Sequence, residues 1–342
     1  MYDVNKIRAD FPILSRNVNN KPLVYLDNGS SAQKPKVVID AVSKAYSEEY
    51  SNVHRGLHTL SNLATDNYES VRGKIQNFLG ADHPEEIIFN SGATEGINTV
   101  SYSWAVPNLK AGDEIILSIM EHHANIIPWH FLRERQGVVI KWVETDENGD
   151  LDAQAVIDAI NPKTKLIAIT QMSNVLGTVV DVKEICRVAQ ENNIVTLIDG
   201  SQSSVHLPIN VKDIGCDFFV ITGHKLYGPS SSGALYARKK RHEEMINFMG
   251  GGDMIKIVER DHVTYNISPH RFEAGTPGIV QMIGLGAAID YMQEIGTDHI
   301  AKHETSLRDY ANTKLSKLDF LNIQGNSVNK GAIFSFTLNG AG

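Results

Sequence analysis

Asp217-Phe218-Phe219-Val220-Ile221-Thr222-Gly223-His224-Lys225-Leu226-Tyr227-Gly228 is the stretch on which the fold turns. Its first half is an aromatic and β-branched run of strand length, and its second half is a turn opened by Thr222-Gly223. Twenty-six residues before Lys225, a second apolar run, 194–198, ends in Asp199. Working outward, strand-like runs at 86–90, 113–118, 138–143, 165–170, 194–198 and 216–222 alternate with helical patterns near 93–105, 122–136, 152–160 and 181–192. That alternation predicts an α/β fold with a mostly parallel sheet covered by helices on both faces. The run 233–237 follows the lysine turn too closely for a helical crossover, so it is expected to run antiparallel as a seventh strand. Parallel strands bring their C-terminal ends to one edge, where ligands of open sheets bind. Asp199 and Lys225 are therefore expected in one pocket.

A strand-end carboxylate with a nearby lysine is what pyridoxal phosphate requires. The lysine forms a Schiff base, and the carboxylate pairs with the pyridinium nitrogen so that the ring can take up electrons. The same two residues also fit a pair of ordinary strand–loop turns. Three further features bear on the choice. Ser91-Gly92-Ala93-Thr94-Glu95-Gly96 follows the run 87–90 and opens a helix, an arrangement whose free N–H groups suit a phosphate. Glu121-His122-His123 follows the run 114–118, placing an imidazole where it could stack on a ring, although a histidine pair there also fits a helix start. Asn174 follows the run 166–170 and Gln202 lies three residues after Asp199, and both amides can bond a ring hydroxyl. All five sites follow predicted strands, which makes coincidence the poorer account.

These stretches resemble the class V aminotransferase fold, and within it the group II cysteine desulfurases and selenocysteine lyases. The similarity runs in family order through Arg8–Pro12, Tyr25–Asn28, Ala32–Pro35, Val53–Gly56, Gly92–Asn98, Met120–Asn125, Ser173–Gly177, Asp199–Gln202, Thr222–Pro229 and Arg271–Pro277. The resemblance implies a fold type I enzyme in which Lys225 holds pyridoxal phosphate, Asp199 pairs with its ring nitrogen and His123 stacks on the ring and shares in proton handling. Gln202 and Asn174 would contact the phenolic oxygen, and Ala93, Thr94, Thr222 and His224 the phosphate. Thr276 would reach the phosphate of a neighbouring subunit, implying a homodimer. The implied reaction takes L-cysteine, or L-selenocysteine, to alanine, with sulfur passed as a persulfide to an acceptor protein for iron–sulfur cluster assembly. A different enzyme of the same fold, and a non-catalytic dimer partner that merely binds the cofactor, stand as alternatives.

One departure is large. The family's nucleophilic cysteine lies on a C-terminal loop in an Arg-x-Gly-His-His-Cys context, and neither Cys186 nor Cys216 sits in such a motif. Cys186 falls among apolar residues at helical spacing and Cys216 precedes the lysine strand, so both read as packing residues. The expectation is a chain cut off before the cysteine loop, able to bind the cofactor and unable to desulfurate.

Composition adds limits. A chain of 342 residues, 42% hydrophobic and 21% charged, is an ordinary globular one, and a net charge of −8 disfavours nucleic acid as a partner. Two cysteines 30 residues apart offer neither a disulfide framework nor zinc spacing, so no metal is expected. The absence of an apolar leader, and of an apolar run near the ~20 residues of a membrane span, predicts a cytoplasmic protein with no membrane contact. The expected organisation is an N-terminal segment (1–20), a large cofactor-binding domain (21–295) and an incomplete α+β domain (296–342). Helices are expected at 35–50, 59–80, 277–295 and 299–318, and 250–269 is expected to be irregular.

Overall fold

The apolar runs become strands close to where their sequence places them. The computed structural model describes residues 2–340. A two-residue pair, β1 (Asn17–Val18) and β2 (Lys21–Pro22), precedes the main sheet. That sheet comprises β3 (Ile87–Asn90), β4 (Glu114–Ser118), β5 (Val139–Val143), β6 (Thr164–Thr170), β7 (Val195–Asp199), β8 (Phe218–Thr222) and β9 (Gly233–Ala237). Their order is β3-β9-β8-β7-β6-β4-β5. β4 pairs in parallel with β5 and β6, and β6 with β7, while β9 runs antiparallel to β3. The predicted seven-stranded, mostly parallel α/β fold stands. Every residue of β7, β8 and β9 is buried, the mark of strands covered on both faces.

The chain divides into two compact units: one runs to Trp104 and includes Val220–Ile295, the other holds Ala105–Phe219 and the segment from Gly296. In the first unit, helix Lys36–Glu48 starts after Pro35, and helix Thr59–Leu79 ends at Gly80 in the left-handed region (φ 67°), a cap that glycine tolerates best. Helix Ile279–Ile295 packs on both. In the second unit, helix Val182–Glu191 buries Val182, Ile185, Cys186 and Ala189 on one face. Helix Thr297–Leu315 precedes the antiparallel pair β12 (Leu321–Gln324) and β13 (Ser335–Leu338), and Tyr310, Phe320, Val328 and Phe336 are exposed there.

Two expectations differ from the structure. The stretch 250–269 contains an antiparallel hairpin, β10 (Ile255–Val258) with β11 (Val263–Tyr265), interrupted by a bulge between Ile255 and Ile257. Its alternation is broken by that bulge, and Glu259-Arg260-Asp261 lie in the charged turn between the strands. The helix expected at 93–105 is α-helical over Ala93–Thr99 and widens to a π-helix over Val100–Ala105. Pro107 contributes no N–H to the ladder there, and the Ser103 carbonyl accepts from the Ile246 N–H at 2.8 Å. No described helix is long and apolar enough to cross a membrane.

Candidate active site

In the first unit, two segments far apart in sequence close on one another where β8 ends. Thr222 is buried at the end of β8, and a Cβ built on Gly92 would lie 3.1 Å from its Oγ1. Gly92 has φ +137°, a region L side chains rarely enter, and a Cβ on Gly233 would meet Gly92 Cα at 2.6 Å. Backbone and threonine hydroxyl therefore meet without intervening side chains. Helix Ala93–Thr99 starts at Gly92 with no side-chain cap, and the first N–H groups of a helix without one suit an anion. Ser91 and Glu95 tie the preceding turn, Glu95 Oε2 accepting from the Ser91 N–H at 2.7 Å. The structure thus brings Ala93, Thr94, Thr222 and the turn of His224 and Lys225 into one half-site.

The turn after β8 is pinned from below. The His224 carbonyl accepts from the Ala32 N–H at 3.0 Å and from Lys34 Nζ at 3.0 Å, and Lys34 also donates to the Ala32 carbonyl at 2.6 Å. Burial brings the Lys34 ammonium down to about 8. Burial, and then the charges of Lys225 and Lys34, push the His224 imidazole below its usual value. Lys34 was visible in the sequence only as part of a matching stretch, and its role in holding the lysine turn comes from contacts 190 residues apart.

The second unit holds the other predicted groups. Asp199 ends β7 and is buried, its Oδ1 accepting from the Ser201 N–H at 2.9 Å. Gln202 is buried beyond it, and the Ser201, Ser203 and Ser204 hydroxyls are buried without hydrogen-bond partners. Asn174 is half-buried in a turn closed by Ser173, whose Oγ accepts from the Val175 and Leu176 N–H groups. His123 is exposed and opens a short turn capped by its neighbour, since His122 Nδ1 accepts from the Ala124 N–H at 3.1 Å. Beneath it lies a group the sequence reading passed over. Glu121 is fully buried, accepts from Ser118 Oγ and Asn125 Nδ2 at 2.6 and 2.7 Å, and is pushed up to about 7 by that burial, with Asp199 adding to the rise. The signal available was an acid three residues after a buried strand.

Thr276 is exposed, and its segment is anchored by Glu273. That carboxylate accepts from Arg72 Nη1 at 2.8 Å and from the Phe89 N–H at 2.7 Å, fixing the segment to β3 and helix Thr59–Leu79. Arg72 also lies 4.0 Å from the centre of the Phe89 ring. Cys186 and Cys216 are both buried.

With this geometry in view, the likeness to known proteins is specific. The aminotransferase class-V family matches residues 24–342. The chain belongs to the class V aminotransferase family, in its cysteine desulfurase group. A cysteine desulfurase of Klebsiella pneumoniae is 45% identical over 97% of this chain and 82% of its own length. One from Escherichia coli is 44% identical over 98% and 83%. The apo cysteine desulfurase of Thermococcus onnurineus superposes with a TM-score of 0.94 at 32% identity, covering all of this chain and 84% of that one. For this class V chain, the expected family, fold, enzyme class and pyridoxal phosphate cofactor all stand. The residues present fit that cofactor: a capless helix start against Thr222 for the phosphate, and orphaned buried hydroxyls beside Asp199 for the ring.

Proposed function

We propose that this chain carries the cofactor-binding and proton-handling machinery of a cysteine desulfurase that takes L-cysteine to L-alanine and delivers sulfur as a persulfide. The observation that carries the reading is the close packing of Gly92, Gly233 and Thr222 beside the turn of Lys225. Lys225 Nζ would hold the cofactor by its carbonyl carbon and would move the Cα proton of cysteine. When bound, pyridoxal phosphate supplies an electron sink that makes this proton removable. Asp199 holds the ring-nitrogen proton. His123 would stack on the ring and share in proton handling, and Gln202 and Asn174 would orient it through its phenolic oxygen. Ala93, Thr94, Thr222 and His224 bind the phosphate.

Sulfur removal needs a thiolate within bonding reach of the substrate sulfur. Cys186 and Cys216 are 1% and 0% exposed, so neither meets that need. We assign the attacking thiol to neither of them, and on this reading the 342 residues bind the cofactor without forming a persulfide. Thr276 is assigned to the phosphate of a second copy. Its exposure, and that of Leu57 and Ile267 in the same unit, support a homodimer, since apolar surface of this kind is what an interface covers. A sulfur-acceptor protein serving iron–sulfur cluster assembly and a cytoplasmic location complete the proposal.

The test is attachment at Lys225. Protein loaded with pyridoxal phosphate and reduced with borohydride is expected to carry the label on the Lys225 peptide, and Lys225→Ala to lose it. Undiminished labelling of the folded variant would overturn the assignment.

A further inference from the structure

Three elements of the first unit converge on a cluster that the cofactor chemistry does not use. His54 lies in the loop before helix Thr59–Leu79, Glu69 lies on that helix, and His270 opens the short turn His270–Phe272. One ligand atom from each lies within 4.8 Å of the others. His54 Nε2 is 2.9 Å from Glu69 Oε1, and the His54 and His270 rings meet edge to face with centroids 5.4 Å apart. We propose that His54, Glu69 and His270, none of them assigned to the cofactor, form a binding site for a divalent transition-metal ion of the zinc class.

Two imidazoles and one carboxylate are the donor set of many zinc centres that keep an open position. With metal–ligand bonds of about 2.0–2.1 Å, tetrahedral ligand atoms stand about 3.3 Å apart, so the donors need to shift by roughly an ångström or less. Their side chains are 25%, 28% and 32% exposed, open enough for an ion to reach them. A cavity of about 340 Å³ adjoins the cluster, lined in part by His54, Arg55, Tyr68, His270 and Glu273, and leaves room for a water or an exogenous ligand in the fourth position.

The surroundings hold two of the three donors in place. Arg72 grips Glu69 through Nε at 2.9 Å and Nη2 at 3.1 Å, and Glu273 Oε2 stands 3.7 Å from His270 Nδ1. A carboxylate behind a metal-binding histidine is the usual orienting partner. The His54 N–H donates to Thr65 Oγ1 at 2.9 Å, fixing the third donor's backbone at a positive φ of 69°. Charge also favours a cation. Glu69, Glu273 and Asp253 face Arg72 and Arg55, three carboxylates against two guanidinium groups, leaving one net negative charge with the imidazoles neutral. The competing arrangement is a plain hydrogen bond between His54 and Glu69, in which a proton occupies the ion's place.

Zinc sulfate titrated into cofactor-loaded, chelator-stripped protein decides between them. One ion per chain is expected, with micromolar or tighter affinity, and Co2+ is expected to give the intense visible bands of a four-coordinate site. His54→Gln and His270→Gln should each weaken zinc binding at least tenfold. His206→Gln, removing a histidine bound to Glu304 in the other unit, should leave it unchanged. No stoichiometric zinc, or equal affinity in parent and both cluster variants, would overturn the proposal. Should a variant fail to fold by circular dichroism, the parent's cobalt spectrum decides alone: the weak bands of six-coordinate cobalt would equally overturn it.

Discussion

Glu273 and Glu121 are both carboxyl groups taken out of water, and their neighbours drive them in opposite directions. Burial opposes charge on each of them. At Glu273 the Arg72 guanidinium, His270 and the Phe89 N–H overcome it and hold the group below its ordinary range. Glu121 has a hydroxyl and an amide as side-chain partners but no cation among them, and the nearby Asp199 adds repulsion. The contrast teaches that hydrogen bonds from neutral groups do not offset the burial of Glu121, whereas at Glu273 a bidentate guanidinium, joined by His270 and a backbone N–H, does. It also separates two uses of burial: a fixed ion pair that anchors the Thr276 segment, and a titratable acid close to the proposed ring-binding aspartate.

Breaking the paired side should have the largest effect. Arg72→Met leaves Glu273 buried without its cation and is expected to cost about 3–5 kcal/mol in urea unfolding. Adding Glu273→Gln should recover part of that loss. A single-variant cost near zero would show that the pair does not anchor the segment.

The unpaired side predicts a pH dependence. The folded value of Glu121, about 7, lies above its ordinary 4.5. The folded state therefore binds the extra proton, and this contribution is fully present below pH ~4.5 and lost as pH rises through ~7. The difference in stability between parent and Glu121→Gln should shift by roughly 3 kcal/mol across that window, with the parent relatively favoured in acid. Equal pH profiles would mean that Glu121 ionises freely.

The smallest expected effect sharpens the comparison with a cation. Lys34, lowered to about 8 from 10.5, binds fewer protons when folded, so stability should rise with pH between those values. Because the side chain is half-exposed, the change should not exceed about 1 kcal/mol. It should vanish in Lys34→Gln, measured by thermal unfolding at pH 7.5 to 10.5.

What was legible in the sequence follows from physical range. β7 and β8 were visible because strands covered on both faces need unbroken apolar runs, and the residues closing them, Asp199 and Thr222, were visible as the ends of those runs. Thr94 was visible because a turn of small residues opening a helix is local chemistry. The pairing of Arg72 with Glu273 was not, since 201 residues separate them and either charge alone reads as a solvated face. Glu121 lay inside a quoted stretch, yet its meaning comes from depth, which spacing does not encode. The hairpin of β10 and β11 was missed because its bulge breaks the period-two pattern.

The antiparallel pairing of β3 with β9 also sets a schedule. Ile87 is bonded opposite Tyr236, 149 residues later, so a chain growing from its N-terminus makes β3 long before its partner exists. During that interval Ile87, Ile88 and Phe89, at most 5% exposed once folded, have no strand to cover them. At a synthesis rate of about 5–20 residues per second the delay is on the order of ten seconds, ample time for a sticky edge to meet another chain. Holdase chaperones should therefore matter most between the synthesis of β3 and that of β9.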